Sequence, residues 1–250
     1  MSLESLKDFK PGPLEFYRKK ASFNWKKLKT VLDTPELVNY KDEIVEALEK
    51  FPEFERNFYT ETLDEKRRIC ARQNHIVKTL PLLSTENLLP NMKKFALCNS
   101  LLTLISPDAL IKYTASVQLF VNAIISLGTK RHRHFIEESN DGKIHGAFCL
   151  TEVGHGTNTK RLETTATYDV ETKEFIIDSP TFTAAKCWSG GLGQTASVVV
   201  VMAQLIVNGE RKGIHGFVAP IRDPKTLIPY PGVIVGDLGE KIGLNGVDNG

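Results

Sequence analysis

Near Ile144 the repeat of the chain changes, and this limits what it can fold into. Up to that point apolar residues recur at helical spacing; beyond it they alternate as in strands. Thr34-Pro35-Glu36 combines an N-cap type, a proline at the first helical position and an acid in the first turn. Leu37, Ile44, Leu48 and Phe51 then fall on one helical face. A second helix is expected from Asp64 to about Lys78, apolar along Ile69, Ile76 and Leu80, and a third from Met92 to Ile105. Ser106-Pro107-Asp108 is another start signal, with Gly128 as its stop. The stretch Leu110–Leu127 is apolar on nearly every side towards its end, as in a helix buried inside a bundle. A short helix is expected over Thr129–Glu138.

Beyond Ile144 the signals are those of strands. Leu162, Thr164, Ala166 and Tyr168 alternate with Glu163, Thr165 and Thr167. Asp169–Lys173 reads as a turn into Glu174–Asp178, completing a hairpin. Ser197–Val207 is a β-branched run suited to a buried strand, and Asn208-Gly209 after it is a strong turn signal. Ile214–Ile221 and the short Val233–Val235 complete the expected strands. The fold class expected is α+β: an N-terminal helical domain over residues 1–143, then an antiparallel β-domain over residues 144–250.

Several function classes are excluded by composition. A formal net charge of +2 gives no footprint for nucleic acid or an acidic membrane surface. Cys70, Cys98, Cys149 and Cys187 are widely spaced without a CxxC pair, so reduced thiols in an intracellular compartment are expected, with no metal site. Glu4, Lys7, Asp8 and Lys10 precede any apolar run, unlike a secretory signal. The apolar stretch Leu119–Leu127 is interrupted by Asn122 and Ser126 and is far shorter than the ~20 residues of a membrane span.

Two stretches carry candidate chemistry. Gly146–Asn158 runs from a strand into a loop with Thr151, Glu152, Gly154, His155, Gly156 and Thr157. Glycines allow close backbone approach, and threonine hydroxyls and amides supply hydrogen bonds to ring heteroatoms or phosphate. A β-turn with a satisfied histidine is the alternative. The second stretch, Lys186–Thr195, places Gly190, Gly191 and Gly193 after Trp188. A Gly-rich corner between strands would look the same. The spacing fits neither a GxGxxG fingerprint nor a P-loop.

Taken together, the two stretches resemble a known family. Thr151-Glu152-Val153-Gly154-His155-Gly156-Thr157 resembles the T-E-x-G-H-G-[ST] motif of the acyl-CoA oxidases, and Trp188–Gly193 resembles their W-x-G-G-L-G segment. Leu162–Asp169, Phe175–Pro180, Gly213–Phe217, Ile221–Pro224 and Lys241–Gly250 are similar to that family in order. Gly12-Pro13-Leu14 and Ala21–Trp25 are similar to its branched-chain, pristanoyl-CoA branch.

The resemblance implies a fold like that of the acyl-CoA dehydrogenases, with a helical domain and a flavin-binding β-domain. It implies oxidation of fatty acyl-CoA to trans-2-enoyl-CoA by FAD, with O₂ reduced to hydrogen peroxide, in a peroxisomal homodimer. It assigns Leu150, Thr151, Gly156, Thr157 and Gly190 to the flavin site. No residue matches the family's C-terminal glutamate base, so this chain is expected to be inactive alone, and no C-terminal peroxisomal tripeptide is present. Glu152 and His155 are expected to be non-catalytic, and the run Lys130–His134 a solvated helix face. Two other readings stand beside this one: an acyl-CoA dehydrogenase, and a non-catalytic protein that binds acyl-CoA or a partner.

Overall fold

The structure, a computed structural model, describes Leu6, residues 8–88 and residues 90–250. Glu4 and Lys7 of the N-terminal charge pattern lie outside the described residues. The helices are α1 (Glu15–Arg18), α2 (Trp25–Leu32), α3 (Pro35–Leu48), α4 (Leu63–Thr79), α5 (Thr85–Leu88), α6 (Met92–Ile105), α7 (Pro107–Tyr113), α8 (Phe120–Leu127) and α9 (Arg133–Asn140). The strands are β1 (Gly146–Cys149), β2 (Thr165–Asp169), β3 (Glu174–Asp178), β4 (Val198–Val207) and β5 (Glu210–Pro220). The chain forms two compact units, one of residues up to Arg56 with Pro81–Ile105, the other of Asn57–Leu80 with Ser106–Gly250.

In the first unit, α3 packs with α6. Thr34 is the N-cap and Pro35 the first helical residue, as the sequence indicates, although the Thr34 hydroxyl makes no capping bond. The buried face of α3 is Val38, Tyr40, Ile44 and Leu48, while Leu37 and Phe51 are half-buried. From α6, Cys98, Leu101 and Leu102 are buried.

The second unit contains α4, α7–α9 and the whole sheet. A capping box of Thr62 and Glu65 starts α4. The expected apolar side of α4 is only partly right. Ile76 is buried, but so are Arg67, Cys70, Gln73, Asn74 and Val77, with Ile69 half-buried. Two of the polar members face inward with partners: Arg67 forms a two-bond pair with Asp237 at 2.7 Å, and Gln73 accepts from the Ser106 hydroxyl.

The start signal at Ser106 is real, since its hydroxyl accepts from the Ala109 amide and Pro107 opens α7. From there the helix continues to Leu127 through a wider π turn over Thr114–Leu119. This 21-residue helix, Pro107–Leu127, is long and apolar enough to span a membrane by length and composition, yet 61% of its apolar window is buried inside the protein. Phe120, Val121 and Ile124 face inward, and Leu119, Ile125 and Leu127 are exposed. Beyond Gly128 the expected short helix is a 3₁₀ turn at Lys130–His132 followed by α9.

The five-stranded sheet is centred on β4. One edge of β4 pairs with β5; the other pairs with β1 along Val198–Val201 and with β2 along Gln204–Ile206. The helices-then-sheet order is the α+β class expected. The sheet, however, is mixed rather than antiparallel: β1 and β2 run parallel to β4, while β2–β3 and β4–β5 are antiparallel hairpins. Alternation reveals that strands exist but carries no direction for strands far apart in sequence. Both hairpins fall where turn residues announce them, with Lys173, Asn208 and Gly209 at positive φ. Val233–Val235 is not a strand; Val233 and Val235 instead pack from an irregular segment onto a core of Ala147, Cys149, Val199, Val201 and Ile221. All four cysteines are free.

Candidate functional site

The two motif stretches lie side by side. Beyond β1 the chain continues extended through Thr151 and Glu152, and Lys186–Cys187 pairs with it. The Cys187 amide donates to the Thr151 carbonyl at 3.0 Å, and Glu152 bridges Lys186 in antiparallel sense. The Val153 amide donates to Ala185 O and the Gly154 amide to Thr183 O. Lys186 Nζ donates to the Leu150 carbonyl at 3.1 Å, and the Ser189 hydroxyl to the Phe148 carbonyl at 2.9 Å. Segments about 35 residues apart in sequence thus form one platform.

Glu152 fixes the shape of the first loop. Its side chain is fully buried. The carboxylate accepts from the Glu163 amide at 2.8 Å, the Thr164 amide at 2.9 Å and Lys186 Nζ at 3.0 Å. His155 Nδ1 lies 3.0 Å from Oε2, the oxygen that also accepts from the Glu163 amide. Burial pushes this carboxyl up, but bonds from Thr164, Glu163 and Lys186 outweigh it and hold it at about 2. A carboxylate bonded on every side is a scaffold, not a proton acceptor. The His155 ring is engaged by Glu152, where the sequence suggested a bond to backbone.

The glycine-rich stretch is held from behind by three buried charges. Asp248 collects four amides: Gly191 and Gly193 donate to its carbonyl, and Gln194 and Thr195 donate to its carboxylate at 2.9 and 2.8 Å. Lys112 on α7 donates to that same carboxylate, with side chains 5% and 2% exposed. Burial raises the Asp248 carboxyl, and the Lys112 charge and the amide bonds pull it below the usual range. Arg222 does the converse, donating to the carbonyls of Leu192, Gly193 and Ala196 at 2.7–2.8 Å. Sequence reasoning missed Lys112, Arg222 and Asp248 as elements of the site; only the runs Ile221–Pro224 and Lys241–Gly250 pointed towards two of them.

Leu150 and Thr151 sit half-buried where the two segments pair. The Thr151 hydroxyl has no partner among the described residues. Gly156 and Thr157 are exposed further along the loop, and no hydrogen bond joins them to the glycine-rich segment among the described residues. A Cβ at Gly156 would meet nothing within 4 Å, so that position is open to an incoming group. Gly190 is different: a Cβ there would lie 2.7 Å from the Ala115 Cβ in the π turn. Its amide has no partner among the described residues, and neither does that of Trp188. Trp188 is 62% exposed and has a φ of 63°. Left-handed backbone at an exposed aromatic residue is strained, and such strain gathers at ligand sites. An unbonded hydroxyl, two unbonded amides, an exposed indole and no free carboxylate suit a planar, neutral-to-anionic ring.

The fold is similar to those of solved acyl-CoA oxidases. Acyl-CoA oxidase 1 of Yarrowia lipolytica superposes with a TM-score of 0.86 at 29% identity, over 94% of this chain and 34% of that one. Acyl-CoA oxidase-2 of Caenorhabditis elegans, solved with FAD, ascaroside-CoA and ATP, gives 0.82 at 30% identity, over 98% and 37%. No family model matches. In sequence, the chain is 40% identical to human peroxisomal acyl-coenzyme A oxidase 3 over 98% of its length, and 34% identical to human peroxisomal acyl-coenzyme A oxidase 1 over 93%. The chain is similar to the acyl-CoA oxidases over nearly its whole length, and it spans about a third of the length of these relatives, 35% in both human proteins.

Proposed function

We propose that these 250 residues form the flavin-contacting part of an FAD-dependent acyl-CoA oxidase. The observation that carries this is the Cys187–Thr151 backbone pairing, which joins the two family motifs into one platform. The whole protein would convert a fatty acyl-CoA and O₂ to trans-2-enoyl-CoA and hydrogen peroxide, as a homodimer in the peroxisome. The names of the human relatives and the FAD-bound relative from Caenorhabditis elegans support that reading. Residues 1–143 would serve as the helical domain and 144–250 as the β-domain.

When bound, FAD supplies the hydride acceptor. The chain's own residues bind and orient it. The Thr151 hydroxyl and the Leu150–Thr151 backbone would meet the ring edge, the Gly190 amide would donate from the second segment, and Gly156 and Thr157 would close on it from the open loop. Neutral donors beside the ring stabilise charge that develops there on reduction. Lys186 and Glu152 hold the platform rigid. Neither Leu150–Thr157 nor Lys186–Ala196 offers a free carboxylate, since Glu152 is bonded on all sides. The general base is therefore assigned to none of these residues.

The test is flavin retention. The purified chain is supplied with FAD, desalted and examined for a flavin visible spectrum. Retained flavin, weakened about tenfold or more by Thr151→Ala with folding intact by circular dichroism, supports the proposal. A folded chain that keeps no flavin, or a Thr151→Ala variant that binds as well as its parent, defeats it.

A further inference from the structure

The glycine-rich loop Gly190–Ala196 has no reason of its own to hold one shape. Three of its seven residues are glycine, and glycine loses the most freedom on ordering. Yet the amides from Gly191 to Ala196 are all bonded. Four of those six converge on Asp248, the other two on Ser189 and Gly191. Three carbonyls converge on Arg222. The Gly190 amide alone is left without a partner among the described residues.

We propose that Asp248, fixed by Lys112 of α7, is a positioning residue: it gathers the loop's amides behind it so that the Gly190 amide is the one donor left for a ligand. Its own contacts are all to the chain, so its effect on a ligand runs through the loop. The charge matters as well as the shape. A buried carboxylate accepts several strong bonds at once, and the lysine ammonium makes its ionised form tolerable there. The Thr195 hydroxyl adds a fourth donor to the same carboxylate at 3.0 Å and accepts from Lys112 at 3.1 Å, closing the network. Because Lys112 belongs to the helix that also carries Ala115, loop and helix are tied at two points, one electrostatic and one steric. That the ligand is a flavin rests on the function proposed above; that Asp248 shapes the loop does not.

The experiment is amide hydrogen exchange on the full 250-residue chain without flavin, comparing the parent with Asp248→Asn. The asparagine keeps the shape and one acceptor oxygen but loses the charge. Exchange of the amides at 191 and 193–195 should speed up at least tenfold while β4 stays protected. Unchanged protection at those amides overturns the proposal, whatever the flavin does. If Asp248→Asn also unprotects β4, Thr195→Ala replaces it: faster exchange confined to 193–195 supports the positioning role, and none overturns it. A second arm measures FAD affinity and the visible spectrum of the bound flavin. A loosened loop with at least tenfold weaker binding and a shifted spectrum supports the ligand-directed role; a loosened loop with unaltered affinity and spectrum overturns it. A parent chain that binds no flavin defeats the reading in the preceding subsection, and the exchange result then decides this one alone.

Discussion

Gly190 rests against Ala115 so closely that a methyl group on Gly190 would come within 2.7 Å of the Ala115 Cβ. The contact is with the helix behind the loop, so the absence of a side chain here is a packing requirement whether or not a ligand also needs it. Gly190→Ala should destabilise the second unit by about 1–3 kcal/mol through overpacking. Ala115→Gly in the same chain should return part of that loss, beyond the ~1 kcal/mol that glycine costs inside a helix. Urea titrations of both single variants and the double give the coupling; strict additivity would contradict the steric reading.

Acid should loosen the protein in two stages. Burial and the positive charge of Lys78 pull His145 down to about 4, from an ordinary 6.5. The unfolded chain therefore takes up this proton first, and stability falls as pH drops from 6.5 towards 4. Glu152 is held at about 2 against an ordinary 4.5, and the stability its bonds contribute is present above 4.5 and lost as pH falls through 2. Urea midpoints between pH 7 and pH 3 should decline, and His145→Phe should flatten the upper stage. An upper stage equally steep in that variant would rule out His145 as its origin.

Lys78 is a burden on the folded state. Its ammonium nitrogen is buried without a hydrogen-bond partner among the described residues, and burial together with the Lys112 charge draws it down to about 8. A lysine lowered from 10.5 leaves the folded state with fewer protons than the unfolded one between the two values. The penalty is therefore full below about 8 and relieved as pH rises towards 10.5, and it corresponds to roughly 3 kcal/mol. Lys78→Met should raise stability at pH 7 by about 1–3 kcal/mol, read from urea midpoints, with a smaller gain at pH 10. Destabilisation by the methionine at pH 7 would show that the ammonium has a stabilising role.

The features legible in the sequence are those settled by neighbours along the chain. Ser106-Pro107 announces α7, Asn208-Gly209 announces the β4–β5 hairpin, and the alternation around Ala166 announces β2, because caps, turns and pleats are local events. The two motif stretches were legible as a pair only through their likeness to a family; nothing in either one shows that Cys187 will bond Thr151. The charges behind the loop were illegible for the same reason. Lys112 and Asp248 are 136 residues apart, and each, read in its own neighbourhood, is an ordinary surface charge. The buried face of α4 was misread because Arg67, Gln73 and Asn74 break the apolar pattern, and for Arg67 and Gln73 the partners that make burial possible, Asp237 and Ser106, lie on other segments.

The π turn at Thr114–Leu119 acts as a phase setter in the long helix. A regular helix advances about 100° per residue, so one residue more or fewer rotates everything after it by that amount. Before the turn, Lys112 must meet Asp248; after it, Phe120 must lie over Gly146, where even a Cβ would fall 2.2 Å from its ring. Two appointments at unrelated angles are kept by one backbone because the widened turn absorbs the mismatch. Tightening it would leave the helix able to satisfy the loop or the sheet, and not both.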